Sequence, residues 1–234
     1  MNIELDKLNK KYNNVNVLDK FNMSFRESGV VCIFGPSGCG KTTLLNIITG
    51  IESYDRGFIK GIKDITFSYI FQEDRLLPWD TAMENIIFVL KNELDCGQKI
   101  DIANEYLEKV GLKNFGNTYP HELSGGMKRR VSIARALAYD GDILIMDEPF
   151  KGLDLNIKKR LINLILNNWK KQQKLSILVT HDIDEALIMS DEIFVVTGPP
   201  MFILDKIGIN IPQDERNEYN LSVYRKKLES YIAY

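Results

Sequence analysis

The residues Gly35-Pro36-Ser37-Gly38-Cys39-Gly40-Lys41-Thr42 match the spacing G-x-x-x-x-G-K-[ST]. Glycines so placed let consecutive backbone N–H groups turn inward around an anion with no Cβ in the way. A helix starting at the end of the loop adds the positive end of its dipole. Lys41 can then reach the outer phosphates of a nucleoside triphosphate, and the Thr42 hydroxyl can hold Mg²⁺. Cys39 is expected to be a small filler in this loop, where its oxidation would block the site. A second group is Asp147-Glu148. Asp147 is suited to Mg²⁺, directly or through water, and Glu148 to polarising an attacking water. Gln72 follows an apolar run, so its side chain can reach Mg²⁺ or the water from a strand end. Ser124-Gly125-Gly126 can open a helix whose freed amides bind a second anion, with Ser124 as N-cap. Alone, that tripeptide is a weak signal, and a flexible turn is the alternative. His181 stands at a strand end as Glu148 does, whereas His121 does not and is expected to be structural.

These residues need particular elements behind them. Val30-Val31-Cys32-Ile33-Phe34 reads as a buried strand, and Thr43-Leu44-Leu45-Asn46-Ile47-Ile48 as a helix ending near Gly50. Strand, glycine loop and helix form the context that a phosphate loop requires. Ile143-Leu144-Ile145-Met146 is a continuous apolar run, expected of a central parallel strand covered on both faces. Asp147 and Glu148 then lie at a strand's C-terminal edge, where open α/β sheets bind ligands. They point to opposite faces if the strand geometry persists. A further buried strand over residues 174–180 ends at His181, and one over 65–71 ends at Gln72.

The N-terminal alternation of Ile3, Leu5 and Leu8, repeated by Phe21, Met23 and Phe25, predicts antiparallel strands joined through Asn13-Asn14. Tyr12 lies just before that turn, as a partner for an adenine ring or as a rim aromatic. Thr81-Ala82-Met83-Glu84 is a capping box that starts a helix. A second helix spans about 99–110, and residues 72–138 read as an inserted helical lobe. Leu76-Leu77-Pro78-Trp79 places apolar residues in a loop, which either the next helix or a partner must cover. Lys128-Arg129-Arg130 is expected to be a solvated helix face. Residues 155–171 form an amphipathic helix, and a closing hairpin turns at Gly198-Pro199-Pro200. The charged tail from Gln213 has Leu221, Tyr224, Leu228 and Ile232 at helical spacing and is expected to pack lightly.

The chain has 234 residues, 44% of them hydrophobic and 26% charged, as in an ordinary soluble globular protein. Its net charge of −2 argues against a nucleic-acid-binding surface. No apolar run reaches the length of a membrane span, and Met1-Asn2-Ile3-Glu4-Leu5-Asp6 lacks the form of a signal peptide. Three cysteines without metal spacing suit a reducing compartment.

In this order, the phosphate loop, Gln72, Leu123-Ser124-Gly125-Gly126-Met127, the strand ending in Asp147-Glu148, Leu153-Asp154 and His181 resemble the nucleotide-binding subunit of ABC transporters over essentially the whole chain. The resemblance implies an α/β fold of the ABC ATPase type: a P-loop NTPase core with an antiparallel β subdomain and an inserted helical subdomain. Residues 1–71 and 139–211 would form the core, 72–138 the helical subdomain and 212–234 a C-terminal helical tail. It implies ATP and Mg²⁺ as cofactors, with Thr42, Gln72 and Asp147 at the metal. Tyr12 would stack on adenine, while Thr43 joins residues 35–42 in binding nucleotide. Two copies would face head to tail, so that Ser124, Gly125 and Gly126 of one close over ATP on the loop of the other. Glu148 would be the general base, with Lys41, Gln72 and His181 completing the catalytic set; Asp154 would link the two sites.

Residues 71–79 look like those of importers for nitrate, sulfonate and taurine, whose relatives also carry pyrimidine vitamin precursors. The expected partners are a second copy, transmembrane permease subunits and, indirectly, a solute-binding protein, at the cytoplasmic face of the membrane. Lys151 stands where many relatives have a small residue, which bears on the dimer contact.

Overall fold

The computed structural model describes residues 3–232, without the side chains of 169–172. Met1, Asn2, Ala233 and Tyr234, the extremes of the N-terminal signal reading and of the tail, lie outside the described residues. In chain order the elements are β1 (Ile3–Tyr12), β2 (Val15–Phe25), β3 (Gly29–Phe34), α1 (Lys41–Ile48), β4 (Arg56–Lys60), β5 (Phe67–Ile70), α2 (Ala82–Ile87) and α3 (Cys96–Lys109). There follow α4 (Gly125–Tyr139), β6 (Ile143–Asp147), α5 (Leu155–Gln172), β7 (Leu175–Thr180), α6 (Ile183–Met189), β8 (Glu192–Thr197), β9 (Phe202–Gly208) and α7 (Glu218–Ile232). The chain divides into two compact units, residues 1–65 with 173–234, and residues 66–172.

In the first unit β1 pairs antiparallel with β2 and β4. The turn between β1 and β2 uses Asn13 at φ +49°, a left-handed conformation that asparagine tolerates. The alternation foreseen in the sequence is real: Ile3, Leu5, Leu8, Phe21, Met23 and Phe25 are all buried. A second group of strands is parallel, β7 beside β3 beside β8, and antiparallel β9 closes it against β8. Residues 30–34 of β3 and all of β7 are buried, as expected of strands covered on both faces. Helix α7 lays the buried Leu221 and Leu228 against this unit.

In the second unit β5 runs parallel to β6, and helices α2, α3 and α4 pack together. Helix α2 starts at the predicted capping box: Thr81 accepts from the Glu84 amide and Glu84 answers the Thr81 N–H at 2.8 Å. Helix α3 starts three residues before the predicted position, because Asp95 and Gln98 form a second capping box. Among the described residues no helix is long and apolar enough to cross a membrane.

Candidate active site

In the first unit the register fixes the geometry. Phe34 pairs with Thr180 across the parallel β3–β7 ladder, so Gly35 and His181 leave the same sheet edge side by side. The loop from Gly35 turns through Gly38 at φ +82° and Gly40 at φ +109°, and Gly40 caps α1. A Cβ on Gly35 would stand 2.3 Å from the Val196 carbonyl, so the loop passes β8 only without one. Lys41 is buried, and its ammonium lies inside the loop, donating to the carbonyls of Gly35 at 2.9 Å and Pro36 at 2.7 Å. Thr42 follows on the exposed side of α1. Cys39 is fully buried, and burial pushes its thiol up despite the Lys41 cation beside it, so the filler role fits and a thiolate is disfavoured.

The residues on either side of His181 are fixed by hydrogen bonds. The Thr180 hydroxyl donates to Glu185 at 2.6 Å, and Asp182 caps α6 by accepting from the Glu185 amide at 3.1 Å. His181 shares a cavity of about 390 Å³ with Gly35, Pro36, Ser37, Thr197 and Tyr231. Tyr231 belongs to α7, so the tail does more than pack lightly: it walls the cavity behind the loop. Lys227 and Tyr231 both bind Asp205 of β9, at 2.7 and 2.8 Å, and Arg225 pairs with Asp184. Tyr12 ends β1 with its hydroxyl donated to Glu52 and the Lys10 ammonium 5.0 Å from its ring centroid. The residue is 41% exposed, which leaves room for a base to approach.

The second unit repeats the arrangement. Ile70 pairs with Met146, so the chain past β5 and the chain past β6 leave one edge together. Gln72 donates to Glu148 at 3.5 Å. Asp147 is buried at the end of β6, while Glu148 turns at φ +45°. That is not the extended geometry assumed for opposite faces; the strand ends at Asp147, and the left-handed turn re-aims the glutamate. Lys151 lies 3.4 Å from the Glu148 carboxylate. Ser124 caps α4, accepting from the Met127 amide at 3.3 Å. A Cβ at Gly125 would meet nothing within 4 Å among the described residues, so internal packing does not require this glycine. Asp154 caps α5 through the amides of Asn156 and Ile157. His121 sits in a short turn, its ring stacked on Tyr119.

The ABC transporter family model matches residues 18–151, more than half of the chain. This chain belongs to the ABC transporter family. The nitrate import ATP-binding protein NrtD of Synechocystis sp. is 37% identical over 100% of this chain and 92% of its own. The aliphatic sulfonates import ATP-binding protein SsuB 2 of Pseudomonas syringae pv. tomato is 38% identical over 93% of this chain and 91% of its own. Among solved structures, a dimeric post-hydrolysis state of the ATP-binding cassette MJ0796 bound to ADP and phosphate aligns at a TM-score of 0.81 and 27% identity, covering 90% of this chain and 100% of that one. The α/β fold is that of an ABC ATPase, as the motifs implied.

Three parts of this ABC chain escaped the sequence reading. Arg129 was expected on a solvated face, yet it is only 4% exposed. Its spacing to Ile133 and Ala136, both buried, carried the signal: all three share one stripe of α4. Asn85 is fully buried and holds the 76–80 loop, accepting from the Leu77 amide at 2.8 Å and donating to the carbonyls of Leu77, Asp80 and Thr81. Held by Asn85, the loop leaves Trp79 70% exposed and Leu76 and Leu77 half-buried, so α2 does not cover Trp79. Tyr231 had no motif at all.

Proposed function

We propose that this chain is the ATP-hydrolysing subunit of an importer for a small solute of nitrate, sulfonate or taurine type, or a vitamin precursor. Relatives named for nitrate, aliphatic sulfonate and taurine import match at 35–38% identity over most of the chain. The observation that carries the hydrolytic reading is the paired exit of Gln72 and Glu148 from one parallel strand edge. A carboxylate there can take a proton from water while the neighbouring amide orients it. Lys41 and the backbone N–H groups of residues 35–42, Pro36 excepted, bind the phosphates together with Thr43, and His181 contacts the terminal one. Tyr12 stacks on the adenine. Thr42, Gln72 and Asp147 supply the hard oxygen donors that suit Mg²⁺, which would neutralise phosphate charge.

Residues 1–71 and 139–211 serve as the catalytic core, 72–138 as the helical subdomain and 212–234 as the tail; the position of α2 and α3 within 72–138 supports this division. Two copies close head to tail, and the open space around Gly125 supports a partner's approach to Ser124, Gly125 and Gly126. Exposed Trp79 supports docking of the 76–79 loop on a transmembrane permease subunit, and a chain docked so would be peripheral, at the cytoplasmic face in this reading. A solute-binding protein would act indirectly, sharing the choice of cargo with the membrane subunits.

Glu148→Gln tests the reading. It should keep ATP binding and lower turnover by about 10²- to 10⁴-fold in a phosphate-release assay. Robust hydrolysis by that variant removes Glu148 from the role of base.

A further inference from the structure

Arg129 is a buried cation with three partners on two different loops. One guanidinium nitrogen donates to the Phe71 carbonyl and lies 3.3 Å from Asp74. The other donates to the Glu148 carbonyl at 2.6 Å. Phe71 precedes Gln72 directly, so one side chain holds the peptide before Gln72 and the peptide of Glu148. Both peptides are bonded through the fork geometry that only arginine offers. Asp74 is pushed up by its own burial and drawn back by this guanidinium. Glu148 sits at φ +45°, a conformation unfavourable for a non-glycine residue that persists only where its surroundings hold it. Its carbonyl accepts from Arg129 and, at 3.3 Å, from the Lys151 amide.

We infer that Arg129 is a positioning residue for the hydrolytic step, tying the Gln72 loop and the Glu148 turn to helix α4 so that the Glu148 carboxylate and the Gln72 amide keep their mutual geometry. The inference rests on the reading of Glu148 as base. Because α4 opens at Ser124, the same helix carries the anion-binding turn at its start and the clamp one turn later. A displacement at the Ser124 end therefore reaches Glu148 through one rigid element and one side chain.

Arg135 provides the comparison. It also lies on α4 and donates to the same loop, at the carbonyls of Asp74 (3.0 Å) and Arg75 (2.8 Å). Its bonds stop at that loop and Asn85. Arg129→Lys, Arg129→Gln and Arg135→Lys are compared in the full chain by steady-state ATP hydrolysis and thermal melting, with Glu148→Gln as reference. Both Arg129 substitutions should lower kcat at least about tenfold while KM for ATP stays within about twofold, since misplacing a catalytic group by an ångström costs on the order of 10²-fold. Arg135→Lys, with a comparable loss of melting temperature, should lower kcat less. Equal kcat losses at 129 and 135, kcat within twofold of the parent for Arg129→Lys, or loss of cooperative melting in both Arg129 variants would each overturn the proposal. An active Glu148→Gln would overturn the base assignment and this inference together. An inactive Glu148→Gln beside a fully active Arg129→Lys would overturn the inference alone.

Discussion

The proposed phosphate contact of Lys41 rests on how its side chain is held. Its ammonium is folded into its own loop on two carbonyls rather than extended into solvent. A cation already held there loses little conformational freedom on binding a phosphate oxygen. Lys41→Ala should weaken ATP affinity about 10- to 100-fold, as removing a charge-assisted bond does, when titrated with a fluorescent nucleotide. Unchanged affinity would count against the phosphate-loop assignment. The cysteines separate by burial. Cys96 is exposed, whereas Cys32 and Cys39 are buried and burial pushes both thiols up. Alkylation of the native protein followed by mass spectrometry should label Cys96 and spare the other two, because the thiolate is the reactive form. Rapid labelling of Cys39 would show that the loop opens.

The elements that matter most are the ones holding loops in place. Asn85 gives α2 control of the loop that ends in Trp79, through hydrogen bonds from a fully buried amide. Asn85→Ala leaves the Leu77 amide and carbonyls without that partner and should lower stability by about 2 kcal/mol in urea unfolding. The latch of α7 has a pH dependence of definite sign. The hydrogen bond from Lys227, joined by that from Tyr231, holds the Asp205 carboxyl below its ordinary range. A depressed carboxyl contributes stability above its unfolded value and loses it as pH falls through the folded one. Amide protection in α7 should therefore drop as pH falls below the ordinary aspartate range, and Asp205→Asn should lack that step. A pH-independent α7 in the parent protein would show that the latch carries no weight. The contribution is small, since both partners are close to solvent.

At the scale of the whole molecule the expected behaviour is assembly. Glu148→Gln should accumulate an ATP-dependent dimer in size-exclusion chromatography, because closure is proposed to precede hydrolysis. A variant that stays monomeric at saturating ATP would argue against the head-to-tail closure. The exposed Trp79 is a large apolar side chain without cover in its own unit, the kind of residue that anchors an interface. Trp79→Ala should weaken a measured complex with the cognate permease about tenfold or more, and an unchanged complex would remove the 76–79 loop as the dock.

The amino-acid order alone determined the family and the local patterns on which the proposed chemistry rests. Residues 35–42, Asp147-Glu148, Gln72 and Ser124-Gly125-Gly126 are local patterns, and local patterns are written in consecutive residues. So were the capping box at Thr81, the hairpin at Asn13 and the buried strands, because period and turn chemistry act over a few residues. What the sequence left open depended on distant partners. Arg129 reads as one more surface charge until Phe71 and Glu148, 58 and 19 residues away, are seen to meet it. Opposite faces for Asp147 and Glu148 depended on strand geometry persisting, and the left-handed turn at Glu148 is decided by the contacts around it. Tyr231 joins the cavity of His181 only because α7 folds back on β9. Propensity and spacing place a residue on an element; only packing, which closes long loops of chain at once, decides which side chain holds which.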